Sequence, residues 1–137
     1  MKDRSVFLDS NILLYVYSNN ETNKQQISRQ LIVKNHTVIS TQVLQEVSNI
    51  LSRHFKSDYS TIKTLLSECI QNVNEVYTNK QSTVFMACDI AERYKFSFYD
   101  CLIVAAALES GCQLLYSEDL QHHQLIEHTL TIVNPYI

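Results

Sequence analysis

One glycine and one proline in 137 residues exclude long flexible linkers and the glycine-rich loops that cradle nucleotide phosphates. No apolar run approaches the roughly 20 residues needed to cross a bilayer. The opening Met1-Lys2-Asp3-Arg4-Ser5 leads into an apolar patch that Asp9 interrupts at once, too short for a secretory signal. A cytoplasmic location without membrane attachment is expected. The four cysteines, Cys69, Cys88, Cys101 and Cys112, form no C-x-x-C pair. A domain of this size needs no disulfide staples, so they read as buried thiols and not as a zinc site. A dense basic stripe is lacking too: small groups such as Arg53/His54/Lys56 and Arg93/Lys95 read as solvated helix ends.

What is present is an ordinary globular composition, 45% apolar and 18% charged, which argues against extensive disorder. The length fits a single domain over residues 1–137. Short aliphatic or β-branched runs predict strands at Val6–Leu8, Thr37–Ile39, Val73–Tyr77, Leu114–Tyr116 and Leu130–Val133. Between them, helices are predicted near Asn11–Tyr17, Asn23–Val33, Gln42–Phe55, Thr61–Gln71, Gln81–Tyr94 and Phe98–Ser110. Alternation of this kind predicts an α/β fold, a three-layer α/β/α sandwich around a short, mainly parallel sheet.

Four acids stand where polar groups are least expected. Asp9 closes Val6-Phe7-Leu8, Glu46 lies within Val43-Leu44-Gln45-Glu46-Val47, Asp100 opens the apolar stretch Cys101–Leu108, and Asp119 follows Leu114-Leu115-Tyr116. Parallel sheets carry their sites outside the carboxyl ends of the strands, where Asp9 and Asp119 fall. At 100° per residue, Glu46 lies at the edge of the apolar face formed by Val43, Leu44, Val47, Ile50 and Leu51. The stretch after Asp100 is apolar on every side, so that helix must be buried with Asp100 in its first turn. Each acid also has a purely structural explanation. Ser97-Phe98-Tyr99-Asp100 has the form of a capping box, Asp9 of a helix N-cap, Glu46 of a surface glutamate and Asp119 of a turn residue. Together they are better explained as one pocket for a divalent metal. The net charge of −3 becomes +1 once these four are set aside, so charge does not exclude a nucleic-acid partner. His122, His123 and His128 complete no ligand spacing; adjacent histidines should point to different sides, and all three are expected to be exposed loop residues. Tyr15 and Tyr17 are expected in core or interface rather than stacked on bases.

Four segments now carry a resemblance. Val-Phe-Leu-Asp9-Ser-Asn11-Ile-Leu-Leu-Tyr15, Gln45-Glu46-Val-Ser-Asn-Ile-Leu, Phe98-Tyr99-Asp100-Cys-Leu-Ile-Val-Ala-Ala-Ala and Leu115-Tyr-Ser117-Glu-Asp119-Leu resemble, in order, the four conserved blocks of PIN domains. With Ile132-Val133-Asn134-Pro135 the likeness spans nearly the whole chain, and the chain resembles a PIN domain of the VapC toxin type. The resemblance implies a Mg²⁺- or Mn²⁺-dependent ribonuclease, a cognate antitoxin protein, an RNA substrate and a homodimer. It also implies that Asp9, Glu46, Asp100 and Asp119 are the catalytic, metal-holding quartet, supported by Asn11 and Ser117. Glu118 beside Asp119 leaves two choices for the fourth acid; the resemblance favours Asp119, because Ser117-x-Asp119 has the family's hydroxyl-x-Asp spacing. Three positions depart from the commonest pattern: Tyr99 where Trp is frequent, Cys101 in place of Ala, and His123 where Gly is frequent. None removes an acid.

Metal chemistry suits such a set independently. Phosphodiester hydrolysis needs an activated water and charge stabilisation, which divalent ions supply, and Mg²⁺ takes hard oxygen ligands while keeping several waters. A haloacid-dehalogenase-type phosphatase is a poorer reading, because the second acid it needs two positions after the first is here Asn11. A non-catalytic binding module on the same fold is the other alternative, against which the intact acids argue.

Overall fold

A computed structural model describes residues 4–137; the N-terminal expectation for Met1–Asp3 lies outside the described residues. The elements run β1 (Ser5–Leu8), α1 (Ser10–Val16), α2 (Thr22–Lys34), β2 (His36–Ser40), α3 (Thr41–Arg53), α4 (Tyr59–Asn72), β3 (Glu75–Tyr77), α5 (Gln81–Tyr94), α6 (Phe98–Glu109), β4 (Leu114–Tyr116), β5 (Leu125–Ile126) and β6 (Leu130–Val133). They build a six-stranded sheet in the order β3-β2-β1-β4-β6-β5. All neighbours are parallel except the β5–β6 pair.

The order explains where a site can form. From β1 the chain steps to β2 and β3 in one direction, then returns to place β4 on the other side of β1. Right-handed crossovers put the helices of the outward steps on one face and those of the return on the other. In agreement, α1 packs on α2 and α3, α3 packs on α4, and α5 packs along α6. Between β1 and β4 the connections diverge, the point at which open parallel sheets form a crevice at the carboxyl ends of their strands.

Burial on both faces accounts for the strand sequences. Val6, Phe7 and Leu8 are wholly buried, as are Ile39 and Leu115, and Phe7 pairs with Val38 on one side and Leu115 on the other. Such strands read as continuous apolar runs. Helix α6 is buried from Cys101 to Ala107, as its all-round apolarity requires. Its turn into β4 uses the single glycine, Gly111, at φ +77, the left-handed position that commonly ends a helix.

Several boundaries differ from expectation. Val73 caps the C-terminus of α4 and donates its N–H to Cys69 O, so β3 begins only at Glu75; a lone apolar residue there covers the helix end. The short strand β5 is legible only through its partner, since Leu125 is exposed and Ile126 buried. Cys69, Cys101 and Cys112 are buried, but Cys88 is exposed. It falls off the inward face of α5, which Thr83, Ala87 and Ile90 occupy. The described residues contain no helix long and apolar enough to cross a membrane.

Candidate active site

The carboxyl ends of β1 and β4 continue as a ladder into the crevice: Asp9 N donates to Tyr116 O at 3.0 Å and Ser117 N to Val133 O at 3.0 Å. This fixes Asp9 and Ser117 side by side. Ser117 Oγ donates to Asp9 Oδ2 at 2.8 Å, and Ser10 N donates to Asp9 Oδ1 at 2.8 Å. Asp9 therefore does serve as the N-cap of α1, yet it is 6% exposed, which no capping role requires. Burial pushes its carboxyl up to about 6; the bonds from Ser117 and Ser10 oppose the rise, and the nearby charges of Glu46 and Asp100 add to it.

Helix α3 supplies Glu46 from a half-buried position. Its N-cap is Ser40, whose Oγ accepts from Val43 N at 3.4 Å. Burial raises the Glu46 carboxyl, bonds to Ser10 and Gln42 lower it, and the charges of Asp100 and Asp119 raise it again. The charges of Glu46 and Asp100 thus reach Asp9, and those of Asp100 and Asp119 reach Glu46. Asp100 lies half-buried in the first turn of α6. Ser97 Oγ accepts from Asp100 N at 3.3 Å, but only this half of the capping box forms, leaving the Asp100 carboxylate free of cap duty. Asp119 is exposed and accepts from Asn11 Nδ2 at 3.0 Å.

The two supporting residues cross over. Asn11, two residues after the first acid, holds the last, while Ser117, two residues before the last, holds the first. Glu118 is engaged elsewhere: its carboxylate accepts from Tyr15 Oη at 2.6 Å and pairs with Lys24 Nζ. Of the two neighbouring acids, Asp119 is the one joined to the Asn11 side of the crevice.

Some contributors carry no signal in the sequence. Gln42, 6% exposed, donates through Nε2 to Glu46 Oε2 at 3.1 Å and to Tyr99 O at 3.0 Å, tying α3 to the first turn of α6. Both partners are acceptors, so the amide orientation is fixed, and its Oε1 is buried without a partner. Ser10, Lys24 and Tyr15 likewise act through tertiary contacts. Tyr17 packs on the core and accepts a bond from Asn72 Nδ2, as expected of a structural tyrosine.

The histidines correct an expectation. The rings of His122 and His123 stack with centroids 3.6 Å apart, because His123 sits at φ +69 and the bend brings both rings to one side. His122 is half-buried, and its Nδ1 accepts from Asn134 N at 2.9 Å. His123 and His128 are exposed. The left-handed φ also explains why glycine suits position 123.

The donor set is all hard oxygen. Among the described residues no three carboxylates, histidines or cysteines converge closely enough to grip one ion directly. Such a set fits an ion that keeps much of its water shell, as Mg²⁺ does, and not a closed zinc centre.

Comparison with known proteins agrees with this architecture. The PIN domain family model matches residues 6–126, and the chain belongs to the PIN domain family. Its fold is shared with VapC20 of Mycobacterium tuberculosis, a sarcin-ricin loop cleaving toxin (16% identity, TM-score 0.65, covering 80% of this chain and 86% of that one). It is shared also with VapBC2 of Rickettsia felis bound to a promoter DNA fragment (18% identity, TM-score 0.69, 95% and 99% covered). A toxin–antitoxin complex from Klebsiella pneumoniae is similar too (20% identity, TM-score 0.68, 96% and 98% covered). Among curated proteins no match was found.

Proposed function

We propose that the chain is a metal-dependent ribonuclease, the toxin of a toxin–antitoxin pair, with Asp9, Glu46, Asp100 and Asp119 as its metal-holding acids. The observation that carries the reading is Asp9: a carboxylate 6% exposed and fixed by two hydrogen bonds, on which its acidic neighbours press. Burying a charge beside like charges costs stability unless a cation is there to receive it. Membership of the PIN domain family and the toxin–antitoxin neighbours support the same class. The antitoxin partner, the homodimer and the cytoplasmic location belong to this proposal.

Mg²⁺ or Mn²⁺, when bound, supplies an activated water and stabilises charge on the phosphoryl oxygens. The protein's own residues prepare the place. Ser117 and Ser10 keep both oxygens of Asp9 aimed, Gln42 orients Glu46, and Asn11 orients Asp119. None of the four acids needs to act as a general base. RNA reaches the crevice past Phe98 and Tyr99, 40% and 68% exposed on the turn that carries Asp100, and these rings offer stacking faces to unpaired bases.

The deciding assay compares the wild type with Asp9→Asn on structured RNA, with Mg²⁺ or Mn²⁺ and with EDTA. Cleavage by the wild type alone, abolished by EDTA, is expected. Equal cleavage by both proteins would place the activity elsewhere. No cleavage by a metal-binding wild type would mean a non-catalytic module on this fold.

A further inference from the structure

The segment that carries Asp119 is poorly secured by its backbone. Beyond β4, residues 118–120 belong to no strand or helix. Three of the bonds that hold them are long: Glu118 N to Asn11 Oδ1 at 3.4 Å, Asn134 Nδ2 to Glu118 O at 3.5 Å, and Asp119 N to Ser117 Oγ at 3.3 Å. Hydrogen bonds near the limit of the range contribute little. Asn11 Nδ2 reaches the Asp119 carboxylate at 3.0 Å, but the shortest contacts lie on the side chain of Glu118: 2.6 Å from Tyr15 Oη and 2.5 Å from Lys24 Nζ.

Lys24 is itself held. Its Nζ lies 3.2 Å from Tyr15 Oη, 4.8 Å from the centre of the Tyr15 ring and 5.4 Å from that of Tyr136, within cation–π range of both. The two rings meet edge to face at 5.2 Å, and Tyr136 Oη lies 2.6 Å from Ser28 Oγ on α2. Helices α1 and α2, the segment after β4 and the C-terminal segment after β6 all converge on Glu118. The pair is only partly exposed, 30% at Lys24 and 26% at Glu118, so solvent screens it less than an ordinary surface pair. Lys24 also neutralises what would otherwise be a fifth carboxylate beside the four of the crevice.

We infer that Lys24, Glu118 and Tyr15 form a latch that holds the Ser117–Asp119 segment against α1, and thereby positions Asp119 for reaction. The inference rests on the nuclease reading of the four acids. Lys24 and Glu118 are positioning residues: Glu118 faces the helices, and the reacting groups are reached only through its backbone neighbours. An ion pair that merely stabilised the fold would loosen the whole protein when broken. A latch loosens one segment.

The test uses Lys24→Met, Glu118→Gln and the double variant, read by amide hydrogen exchange without metal and by steady-state cleavage of RNA with Mn²⁺. Exchange across residues 118–120 is expected to rise about tenfold in each variant, with the buried face of α5 around Ala87 and Ile90 unchanged. For cleavage, kcat is expected to fall about tenfold with KM within about twofold, and the double variant to be no worse than the poorer single one, as for residues acting as a unit. Unchanged exchange at 118–120, a rise spread evenly over the protein, or wild-type kcat in the variants would each overturn the latch. An inactive wild type whose variants still open only at 118–120 would remove the nuclease reading and leave the latch's hold on this segment standing.

Discussion

Ser117 Oγ reaches Asp9 Oδ2 at 2.8 Å across 108 residues of chain, and Ser117 is wholly buried. The bond joins the ends of two adjacent parallel strands at the point where their connections diverge. Replacing the hydroxyl leaves one oxygen of a buried carboxylate unserved. Ser117→Ala is expected to destabilise the protein at pH 7.5 by about 1.5–3 kcal/mol, the range for a hydrogen bond to a charged group. It should also move the acid limb of the activity profile to higher pH. Denaturant melts and a pH–rate series check both, and an unshifted limb would show that Ser117 does not tune Asp9.

Asp9 makes the stability of the metal-free protein depend on pH. Its folded value, about 6, lies above the ordinary 3.8, so the folded state binds more protons between these values. The associated stability is complete below about pH 4 and is lost as pH rises through 6, amounting to about 3 kcal/mol at 1.36 kcal/mol per pH unit. Asp9→Asn, measured in EDTA, should melt higher than the wild type at pH 7.5, and the gap should close towards pH 4. A gap independent of pH would refute the assignment.

Cation binding should reverse this cost. Millimolar Mn²⁺ is expected to raise the wild-type Tm at pH 7.5, by the equivalent of about 2.7 kcal/mol at a hundred times Kd, and to leave Asp9→Asn nearly unmoved. The rise should shrink at pH 5, where protons compete for the same oxygens. A wild type indifferent to metal in a thermal-shift titration would count against a competent site.

Gln42 positions Glu46 through a bond of 3.1 Å and supports the first turn of α6 as well. Gln42→Leu keeps the apolar contacts and removes both bonds. We expect kcat to fall about tenfold, with the Glu46 carboxyl rising further as it loses a donor. A variant with wild-type kcat would reduce Gln42 to a packing residue.

Tyr99 is too exposed to matter to the core. Tyr99→Ala should change the Tm little yet raise KM for single-stranded RNA by about tenfold, within the 1–3 kcal/mol typical of a stacked base. Tyr99→Trp should restore binding. Equal KM for all three proteins would remove the stacking role.

How much was legible before the structure depended on how local each cause is. Strand β1 announced itself because a parallel strand buried on both faces must be apolar along its length, β4 and β6 as short aliphatic runs around the buried Leu115, Leu130 and Ile132, and α6 because a buried helix must be apolar all round. Strand β5 is two residues long, with one of them exposed, and exists through pairing with β6. The four acids stood out by contrast with their neighbours. Gln42 and Lys24 did not, since a glutamine and a lysine on helices are unremarkable until the partner segment arrives, and Tyr15 was legible as a core or interface ring but not as a partner of Glu118. The stacked His122–His123 rings follow from one backbone angle, which ordinary side-chain alternation does not anticipate.

The strand order has a consequence for how the molecule comes into being. Pairing β1 with β4 closes a loop of over a hundred residues, and such non-local contacts form slowly in folding. A chain emerging from the ribosome presents Asp9, Glu46 and Asp100 well before Ser117 and Asp119 are available to complete the crevice. Any activity that depends on the finished crevice is therefore withheld until synthesis has passed Asp119 and β4 has docked beside β1.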